Sequence, residues 1–285
     1  MTMSASQDVR TGRVTVDGDE LFYEVRGAGE PLLMIPPGGG AGWQYARVAD
    51  LLADRFRVIV FDRRANGRST MNAPQNFTIQ QQSDDAVAVL RAVGEESAHV
   101  FGNSSGAVIA LDLAVRHPDR TRVVIAHEAP LPRLHPKADR WQKFFAEVYL
   151  TSFRFGPTWA ALQFMLGAQL PVRELIKATR GINTHRKTSV EPYLSDRVAT
   201  EVLTRWELLP VTNYLPDIET LKRSGVRLIM GVGEWGVKRR AWYVEADRIL
   251  AERVGCELRV FPGHHGGFLD QPEAFAAALR SALSY

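Results

Sequence analysis

A serine framed by glycines is the feature of the sequence with the clearest chemical potential. The stretch Gly102-Asn103-Ser104-Ser105-Gly106 has the spacing Gly-x-Ser-x-Gly. An apolar run at 97–101 precedes it, and an apolar run with helical spacing at 107–117 follows it. Strand, sharp turn and helix in this order hold a serine hydroxyl at the end of a sheet, where it is exposed to attack a substrate. We therefore interpret Ser104 as a candidate nucleophile rather than as part of an ordinary Gly- and Ser-rich turn.

The surroundings of Ser104 fit the same chemistry. Amides at the start of a helix have no partner within that helix, so they can face a developing negative charge. The turn is expected to strain the serine backbone, and a Cβ at Gly102 or Gly106 is expected to collide with neighbouring backbone. A serine hydroxyl is a poor nucleophile at neutral pH. The remaining requirement is therefore a base and a partner that orients the base.

Length and composition limit the classes of protein that the chain can represent. The 285 residues are 45% hydrophobic, which suffices for one large α/β domain with an insertion or for two small domains. The net charge of +3 is too small to indicate nucleic acid as a partner. The single cysteine, Cys256, fits a reducing compartment. Residues 1–12 are polar and no apolar run approaches ~20 residues, so we expect a cytoplasmic protein without a membrane partner.

Apolar runs alternate with helical patterns over much of the chain. An Asp17-Gly18 turn between two β-like runs indicates a hairpin. Buried strands are predicted at 31–35, 56–61, 97–101, 122–126, 226–230 and 257–261. Helices are predicted at 43–54, 78–93, 107–117 and 239–254, with a last helix capped by Asp270 and Glu273. This alternation is typical of an α/β fold with a mostly parallel sheet and helices on both faces.

The alternation is interrupted between 131 and 215, where the pattern is helical and contains no convincing strand. We call residues 131–215 the insertion and expect residues 1–130 and 216–285 to form the core domain. Both ends of the insertion follow or precede strands at the edge of the sheet that carries Ser104. The insertion is therefore expected to cover the serine as a lid, although a purely structural layer is the alternative.

Large apolar side chains in and around the insertion are candidates for the wall of a substrate pocket. The residues chosen for this role are Trp43, Phe153, Trp159, Met165, Trp206 and Trp235. Their density predicts a hydrophobic, bulky small molecule as the substrate.

Four motifs, in this order, make the chain resemble an α/β-hydrolase-fold enzyme with a helical cap. They are the turn Pro37-Gly38-Gly39-Gly40, the stretch at 62–69, the turn around Ser104 and the stretch at 263–268. The resemblance extends from about Arg13 to Leu283 and implies the α/β-hydrolase fold, with the cap inserted after the strand that follows the nucleophile helix. This family contains esterases, lactonases, thioesterases, dehalogenases, epoxide hydrolases, C–C hydrolases and cofactor-free oxygenases. The fold therefore leaves the substrate open.

The resemblance also implies a histidine base late in the chain. His264 and His265 both lie after the last predicted strand. In the family an acidic residue usually follows the catalytic histidine by five positions, and Asp270 stands five positions after His265. We therefore assign the base to His265 and expect His264 to be a surface loop residue. The other histidines lack this context and are expected to be structural.

The acid that orients the histidine has two candidates. Many family members place an aspartate after the strand that follows the cap, but here the corresponding position holds Gly236, and Glu234 is nearby. Other members, of the dehalogenase and zearalenone-lactonase types, place the acid directly after the strand that follows the nucleophile helix. Glu128 occupies that position. We favour Glu128 and keep Glu234 as the alternative.

The oxyanion hole of the family uses two backbone N–H groups. The resemblance implies that Ser105 supplies one and the glycine-rich turn the other, through Gly39, with Pro37-Gly38 in place of the more usual His-Gly. The stretch at 62–69 resembles the turn after the fourth strand of the family, and we assign it a structural role that shapes the pocket floor. No metal and no cofactor are expected.

The sequence thus predicts a carboxylic ester hydrolase with a Ser104–His265–Glu128 triad that forms an acyl-enzyme. An ester, a lactone and a thioester remain open as substrates. The alternatives are a C–C bond lyase or a cofactor-free peroxidase or oxygenase on the same fold, and a non-catalytic ligand receptor. Dehalogenase and epoxide hydrolase activities are disfavoured because both usually need an aspartate at the position of Ser104. The oligomeric state stays open between monomer and homodimer.

Overall fold

The computed structural model describes residues 9–187 and 193–284, with the backbone alone for 180–187. Its centre is an eight-stranded sheet with the order β1-β2-β4-β3-β5-β6-β7-β8. The strands are β1 Arg10–Val16, β2 Asp19–Arg26, β3 Glu30–Ile35, β4 Phe56–Phe61, β5 Ala98–Asn103, β6 Thr121–His127, β7 Arg227–Gly233 and β8 Glu257–Phe261. The pairs β1–β2 and β2–β4 are antiparallel, and the remaining pairs are parallel. The prediction of a mostly parallel α/β sheet is confirmed.

Both faces of the sheet are covered by helices. These helices are α1 Ala46–Leu52, α2 Ile79–Ala92, α3 Ser105–Arg116, α9 Ile218–Arg223, α10 Glu234–Arg239, α11 Trp242–Val254, α12 Gly267–Asp270 and α13 Pro272–Leu283. Alternate side chains of β3 point into opposite helix layers. Leu33 and Ile35 pack with α2 and α3, whereas Leu32 and Met34 pack with α1 and α13. Strands covered on both faces are continuous apolar runs, which explains the sequence pattern.

The hairpin between β1 and β2 forms where it was predicted. Asp17 and Gly18 both have positive φ, 50° and 83°, as a two-residue type I′ turn requires. The predicted helix at 43–54 is less regular than expected, since a 3₁₀ turn at Gly42–Tyr45 precedes α1. The predicted helix at 239–254 begins later, at Trp242, because Arg240 takes a left-handed conformation that ends α10.

The predicted capping of the last helix is wrong. Helix α13 begins at Pro272, and Gln271 rather than Asp270 is its N-cap residue, without a side-chain hydrogen bond. Asp270 belongs to the short helix α12, and its carboxylate lies 3.1 Å from the Nε2 atom of His264. Asp270 therefore contacts His264 instead of capping the last helix.

The chain between β6 and β7 is helical wherever the structure describes it, apart from the connections. Its helices are α4 Ala138–Arg154, α5 Pro157–Gly167, α6 Val172–Lys187, α7 Asp196–Glu201, a π-helical turn at Val202–Glu207 and α8 Leu208–Thr212. Trp141 and Phe145 of α4 pack against Trp242 of the core, with the two indole rings stacked at 4.9 Å. In the described residues no helix has the length and apolar character that a membrane span needs.

The topology decides where side chains of different strands meet. Strands β5, β6, β7 and β8 are neighbours and parallel, so their carboxyl ends lie along one edge of the sheet. Ser104 follows β5, Glu128 follows β6 and His265 lies on the loop after β8. Ligand sites in open α/β sheets form at this edge.

Candidate active site

Ser104 stands on a strained turn between β5 and α3. Its φ is 56° and its ψ is −122°, a conformation that costs a non-glycine residue on the order of 1–3 kcal/mol. The turn is held by backbone hydrogen bonds: the Ser104 N–H donates to the carbonyl of His127 at 2.9 Å, and the Ser104 carbonyl accepts from the Ala107 N–H at 2.9 Å. The expected strain at the serine is therefore present.

Two glycines make this turn possible. A Cβ on Gly102 would lie against the carbonyl oxygen of Gly106, and a Cβ on Gly106 would lie against the carbonyl oxygen of Ile35 at the end of β3. Backbone atoms cannot move aside as a flexible side chain can. The collisions expected from the sequence are therefore found, and they explain how α3 starts so close to the sheet.

His265 is joined to Glu128 across 137 residues of chain. The Nδ1 atom of His265 lies 2.6 Å from the Oε2 atom of Glu128, whose side chain is fully buried. The other carboxylate oxygen accepts the Gly233 N–H at 2.8 Å. A carboxylate at Nδ1 fixes the tautomer that leaves Nε2 free to accept a proton.

The electrostatics of Glu128 support an ionised carboxylate. Burial acts to raise the pKa of the Glu128 carboxyl, because it disfavours the charged form. The hydrogen bond to His265, the neighbouring imidazoles and the Gly233 N–H together outweigh burial and hold this pKa below its usual range. Asp247 behaves differently, since burial and the charge of Glu128 raise the pKa of Asp247 well above its ordinary value. Burial and the charge of Glu128 therefore both disfavour a second negative charge at Asp247.

Glu234 is placed elsewhere. Its carboxylate accepts the Gly263 N–H at 3.3 Å and so supports the start of the histidine loop. The glycines of this region leave room for Glu128: a Cβ on Gly233 or on Gly236 would lie 2.9 Å from the Oε1 atom of Glu128. Gly236 holds the position where the commoner family pattern has its acid. The Glu128 carboxylate thus occupies space that a side chain at Gly236 would need.

His264 is not a surface residue, which corrects the expectation from the sequence. It is 3% exposed, its Nδ1 atom accepts the Gly266 N–H at 3.0 Å, and its Nε2 atom faces Asp270. These contacts hold the loop on which His265 stands. Asp270, which stands five positions after His265, therefore contacts His264.

Sequence reasoning missed a buried polar pair beneath the turn of Ser104. The Nδ1 atom of His127 lies 2.6 Å from the Oδ1 atom of Asn103, and the two residues are register partners at the ends of β5 and β6. Burial lowers the pKa of His127 to about 4, so the ring is neutral at physiological pH. The sequence signal that could have indicated this pair is a polar residue, Asn103 or His127, at the end of each of two apolar strands.

The glycine-rich turn presents Gly38, rather than Gly39, to the cavity that contains Ser104. The Gly40 N–H donates to the Pro37 carbonyl at 2.8 Å, and Gly39 has a φ of 81°. These features define a type II turn with Gly39 at its third position. Gly39 consequently borders a separate hollow with Trp43, whereas Ser105 lines the cavity as expected. The assignment of the Gly39 N–H to the oxyanion hole stays a prediction, and Gly38, which lines the cavity, is a second candidate in the same turn.

Ser104, Glu128 and His265 line one cavity of about 190 Å³. This volume is below the roughly 300–1,000 Å³ of pockets for drug-sized ligands, so the enclosed part of a ligand is small. Most of the wall is apolar, and the insertion supplies the larger share of this apolar part. The apolar residues of the insertion in this wall are Phe145, Phe164, Met165, Ala168, Leu170, Leu175, Leu203, Leu208 and Val211.

Of the six side chains proposed for the pocket, the structure brings only Met165 to this cavity. The residues that lie elsewhere are Trp43, Phe153, Trp159, Trp206 and Trp235. Phe153 and Trp159 are 48% and 63% exposed on the outer side of the insertion. Phe153 packs edge-on against Trp206. Residue type alone does not reveal which side of a helix faces inward, which is why these choices were wrong.

Comparison with known proteins gives a consistent result. A sequence model described as the alpha/beta hydrolase fold matches residues 30–161. The hydrolase YraK of Bacillus subtilis strain 168, named as uncharacterized, is 30% identical over 280 residues, which are 96% of this chain and 96% of YraK. The chain belongs to the α/β-hydrolase family. RutD of Caulobacter sp. strain K31, named as a candidate carbamate hydrolase, is 36% identical over 95% of this chain and 97% of its own.

Solved structures of α/β hydrolases show the same fold. A thermophilic esterase from Thermogutta terrifontis superposes with a TM-score of 0.74 at 21% identity, covering 96% of this chain and 98% of the esterase. This superposition confirms the predicted fold, and the sequence relatives confirm the hydrolase class. This α/β hydrolase is an enzyme with hydrolytic activity, and the family leaves its substrate open.

Proposed function

We propose that the protein is a serine hydrolase that cleaves an ester, lactone or thioester of a small hydrophobic molecule. Ser104 is the nucleophile, His265 the base and Glu128 the residue that orients the base. The observation that carries the proposal is the 2.6 Å contact between Glu128 and His265 in the cavity that Ser104 also lines. Nucleophile, base and orienting acid in one cavity match the requirements of acyl transfer.

The reaction proceeds through an acyl-enzyme. The Ser104 oxygen attacks the substrate carbonyl carbon while its proton passes to Nε2 of His265, and the carbonyl oxygen becomes an oxyanion. The backbone N–H groups of Ser105 and of the glycine-rich turn, at Gly39 or Gly38, are assigned to this oxyanion. Collapse of the intermediate breaks the carbonyl–oxygen or carbonyl–sulfur bond, and the leaving group takes the proton from His265. A water molecule then releases the acid by the same steps. In a lactone the leaving alcohol stays attached to the acid.

Carbamate hydrolysis is the second candidate. The likeness to RutD favours it, and the same residues would attack a carbamate carbonyl. The apolar wall supports the ester or lactone more strongly, because a small carbamate would leave apolar surface uncovered in the cavity. Both candidates use Ser104, so substrate preference rather than mechanism separates them.

The proposed enzyme works in the cytoplasm. This location rests on the single cysteine, Cys256, which is partly buried. Burial raises the pKa of Cys256 to about 11, so its thiol stays protonated and unreactive.

Labelling with a fluorophosphonate, together with turnover of p-nitrophenyl esters of increasing chain length and of phenyl carbamates, tests the proposal. The wild type should be labelled on Ser104 and should turn over apolar esters. Ser104→Ala should remove both, with a loss of kcat on the order of 10⁴- to 10⁶-fold. Ser105→Ala should have a small effect, because only its backbone is assigned a role. A wild type that is neither labelled nor active on any ester or carbamate would contradict the proposal and favour the receptor alternative.

A further inference from the structure

Glu207 is a buried carboxylate in the cavity wall that the catalytic steps do not use. It is the last residue of the π-helical turn in the insertion, and its side chain is 1% exposed. Its Oε1 atom accepts a hydrogen bond from Nη2 of Arg63 at 2.7 Å. Short π-helical turns occur frequently at functional sites.

One oxygen of this carboxylate is left without a donor. Among the described residues, none donates a hydrogen bond to Oε2 of Glu207, although the atom is fully buried. Buried acceptors without a partner are rare in folded proteins, and each calls for an explanation. Glu207 lines the cavity, whereas Arg63 does not.

The position of Glu207 is fixed relative to the glycine-rich turn. The Nη2 atom of Arg63 donates both to Glu207 and, at 2.8 Å, to the carbonyl of Pro37, which precedes Gly38. Arg63 is itself 1% exposed, so this bridge is shielded from water. The Glu207 carboxylate therefore lies beside the glycine-rich turn, in the wall of the cavity that Ser104 also lines.

We propose that Glu207 selects substrates that carry a neutral hydrogen-bond donor near the scissile carbonyl, either an amide N–H or a hydroxyl. The inference rests on the proposed hydrolase function. A neutral donor is favoured over a cation because Arg63 already balances the charge of Glu207. Most other groups in the wall are apolar, so this donor would make a discriminating polar contact in a mainly apolar cavity.

Two matched pairs of methyl esters test the inference. The amide arm compares methyl N-hexanoylglycinate with its N-methyl analogue, which lacks the N–H. The hydroxyl arm compares methyl 3-hydroxyoctanoate with methyl octanoate. The wild type should prefer the donor-bearing member of at least one pair by about 10- to 100-fold in kcat/KM, the size expected for a hydrogen bond to a charged group. The arm that shows the preference identifies the donor.

Variants locate the source of the preference. Glu207→Leu should bring the ratio of kcat/KM within that pair to about one. Because removing one partner of a buried ion pair destabilises the fold, Arg63→Met/Glu207→Leu provides the same test with both charges removed. Glu201→Leu is the control, since Glu201 is also ion-paired within the insertion, to Arg205, but does not line the cavity. The control should keep the wild-type ratio.

The outcomes that overturn the inference are distinct from failure of the hydrolase proposal. A wild type that turns over the esters without preference for a donor overturns the role of Glu207 alone, whether or not the variants fold. An unchanged ratio in the Leu variants, or an equal loss in Glu201→Leu, does the same. A wild type that hydrolyses none of these esters and none of the p-nitrophenyl esters overturns the proposed function and this inference with it.

Discussion

Glu128 differs from an ordinary carboxylate in its backbone as well as in its burial. Its φ is 48°, in the left-handed region that non-glycine residues rarely enter. The strain is held by a hydrogen bond from its own N–H to the Gly231 carbonyl at 2.8 Å, at the end of the neighbouring strand β7. Strained residues of this kind gather at functional sites. Ser104 and Glu128 share the property, and each immediately follows the strand that carries it.

Exchange of the acid is the first prediction. In Glu128→Gln an amide can present an N–H to Nδ1 of His265, which stabilises the wrong tautomer. The comparable change in a serine protease costs about 10⁴-fold, and we expect kcat to fall by about 10²- to 10⁴-fold here. Glu234→Gln should stay within about threefold of the wild type, because Glu234 contacts Gly263. Steady-state kinetics of both variants on one ester decide the matter. A severe loss in Glu234→Gln with a nearly normal Glu128→Gln would assign the acid to Glu234, at the start of α10.

His127 gives a prediction for stability against pH. Its pKa is lowered from 6.5 to about 4 in the folded state by burial, so between these values the unfolded chain binds a proton that the folded chain does not. The free energy of unfolding should therefore decrease as pH falls from 6.5 to about 4, by about 3 kcal/mol from this group. Urea denaturation of the wild type and of His127→Gln at several pH values in this range measures the difference. Equal slopes in both proteins would contradict a neutral, buried His127.

At the scale of elements, the junction of β7 and α10 leaves space for the Glu128 carboxylate. Gly233 and Gly236 both lie against the Oε1 atom of Glu128, and a side chain at either position would displace it. The insertion makes the complementary contribution, because its inner side chains, Phe145 and Phe164 among them, close the cavity, while Phe153 and Trp159 are exposed on its outer side.

Gly236→Ala should lower activity through Glu128. The new methyl group would lie 2.9 Å from Oε1 of Glu128 and would shift the carboxylate away from His265. We expect kcat to fall by about 10- to 100-fold, since small displacements of catalytic groups have effects of this size. Gly18→Ala, in the hairpin between β1 and β2, is the control: its φ of 83° makes the change destabilising, but kcat should be normal. A normal kcat in Gly236→Ala would show that the position of the carboxylate does not limit catalysis.

Variants at two positions of the insertion test which of its sides faces the cavity. Met165 lines the cavity, so Met165→Ala should enlarge it and move the preferred acyl chain towards longer esters, at about 0.8 kcal/mol for each additional buried CH₂. Trp159 is 63% exposed, and Trp159→Ala should leave the preference unchanged. Values of kcat/KM over a series of p-nitrophenyl esters show the optimum in each protein. A shift in Trp159→Ala without one in Met165→Ala would reverse the assignment of the two sides.

At the scale of the whole molecule, the sheet brings together residues that are far apart in the chain. The order β5-β6-β7-β8 sets the turn of Ser104, the residue after β6 and the loop after β8 along one edge. The alternation of strands and helices predicted the parallel sheet, and the resemblance to α/β hydrolases implied that Ser104, Glu128 and His265 act together. The register between β5 and β6 then aligns Asn103 with His127, below the reacting groups.

The features that the sequence did not predict depend on contacts between distant elements. The inward or outward direction of Phe153 and Trp159 follows from how the helices of the insertion pack, and the burial of His264 follows from its contact with Asp270. The pair of Arg63 and Glu207 joins residues 144 positions apart and has no local signature. Spacing within one element is readable from the chain, whereas pairing between elements needs the packed structure.

Mapping a slowly released acyl group tests the central claim most directly. The protein is incubated with p-nitrophenyl dimethylcarbamate, p-nitrophenol release is counted, and the modified peptide is identified by tandem mass spectrometry. We predict one equivalent of p-nitrophenol, with the carbamoyl group on Ser104, no modification in Ser104→Ala and normal modification in Ser105→Ala. A carbamoyl group on another residue, or turnover of apolar esters by Ser104→Ala at the wild-type rate, would contradict the assignment of Ser104 as the nucleophile.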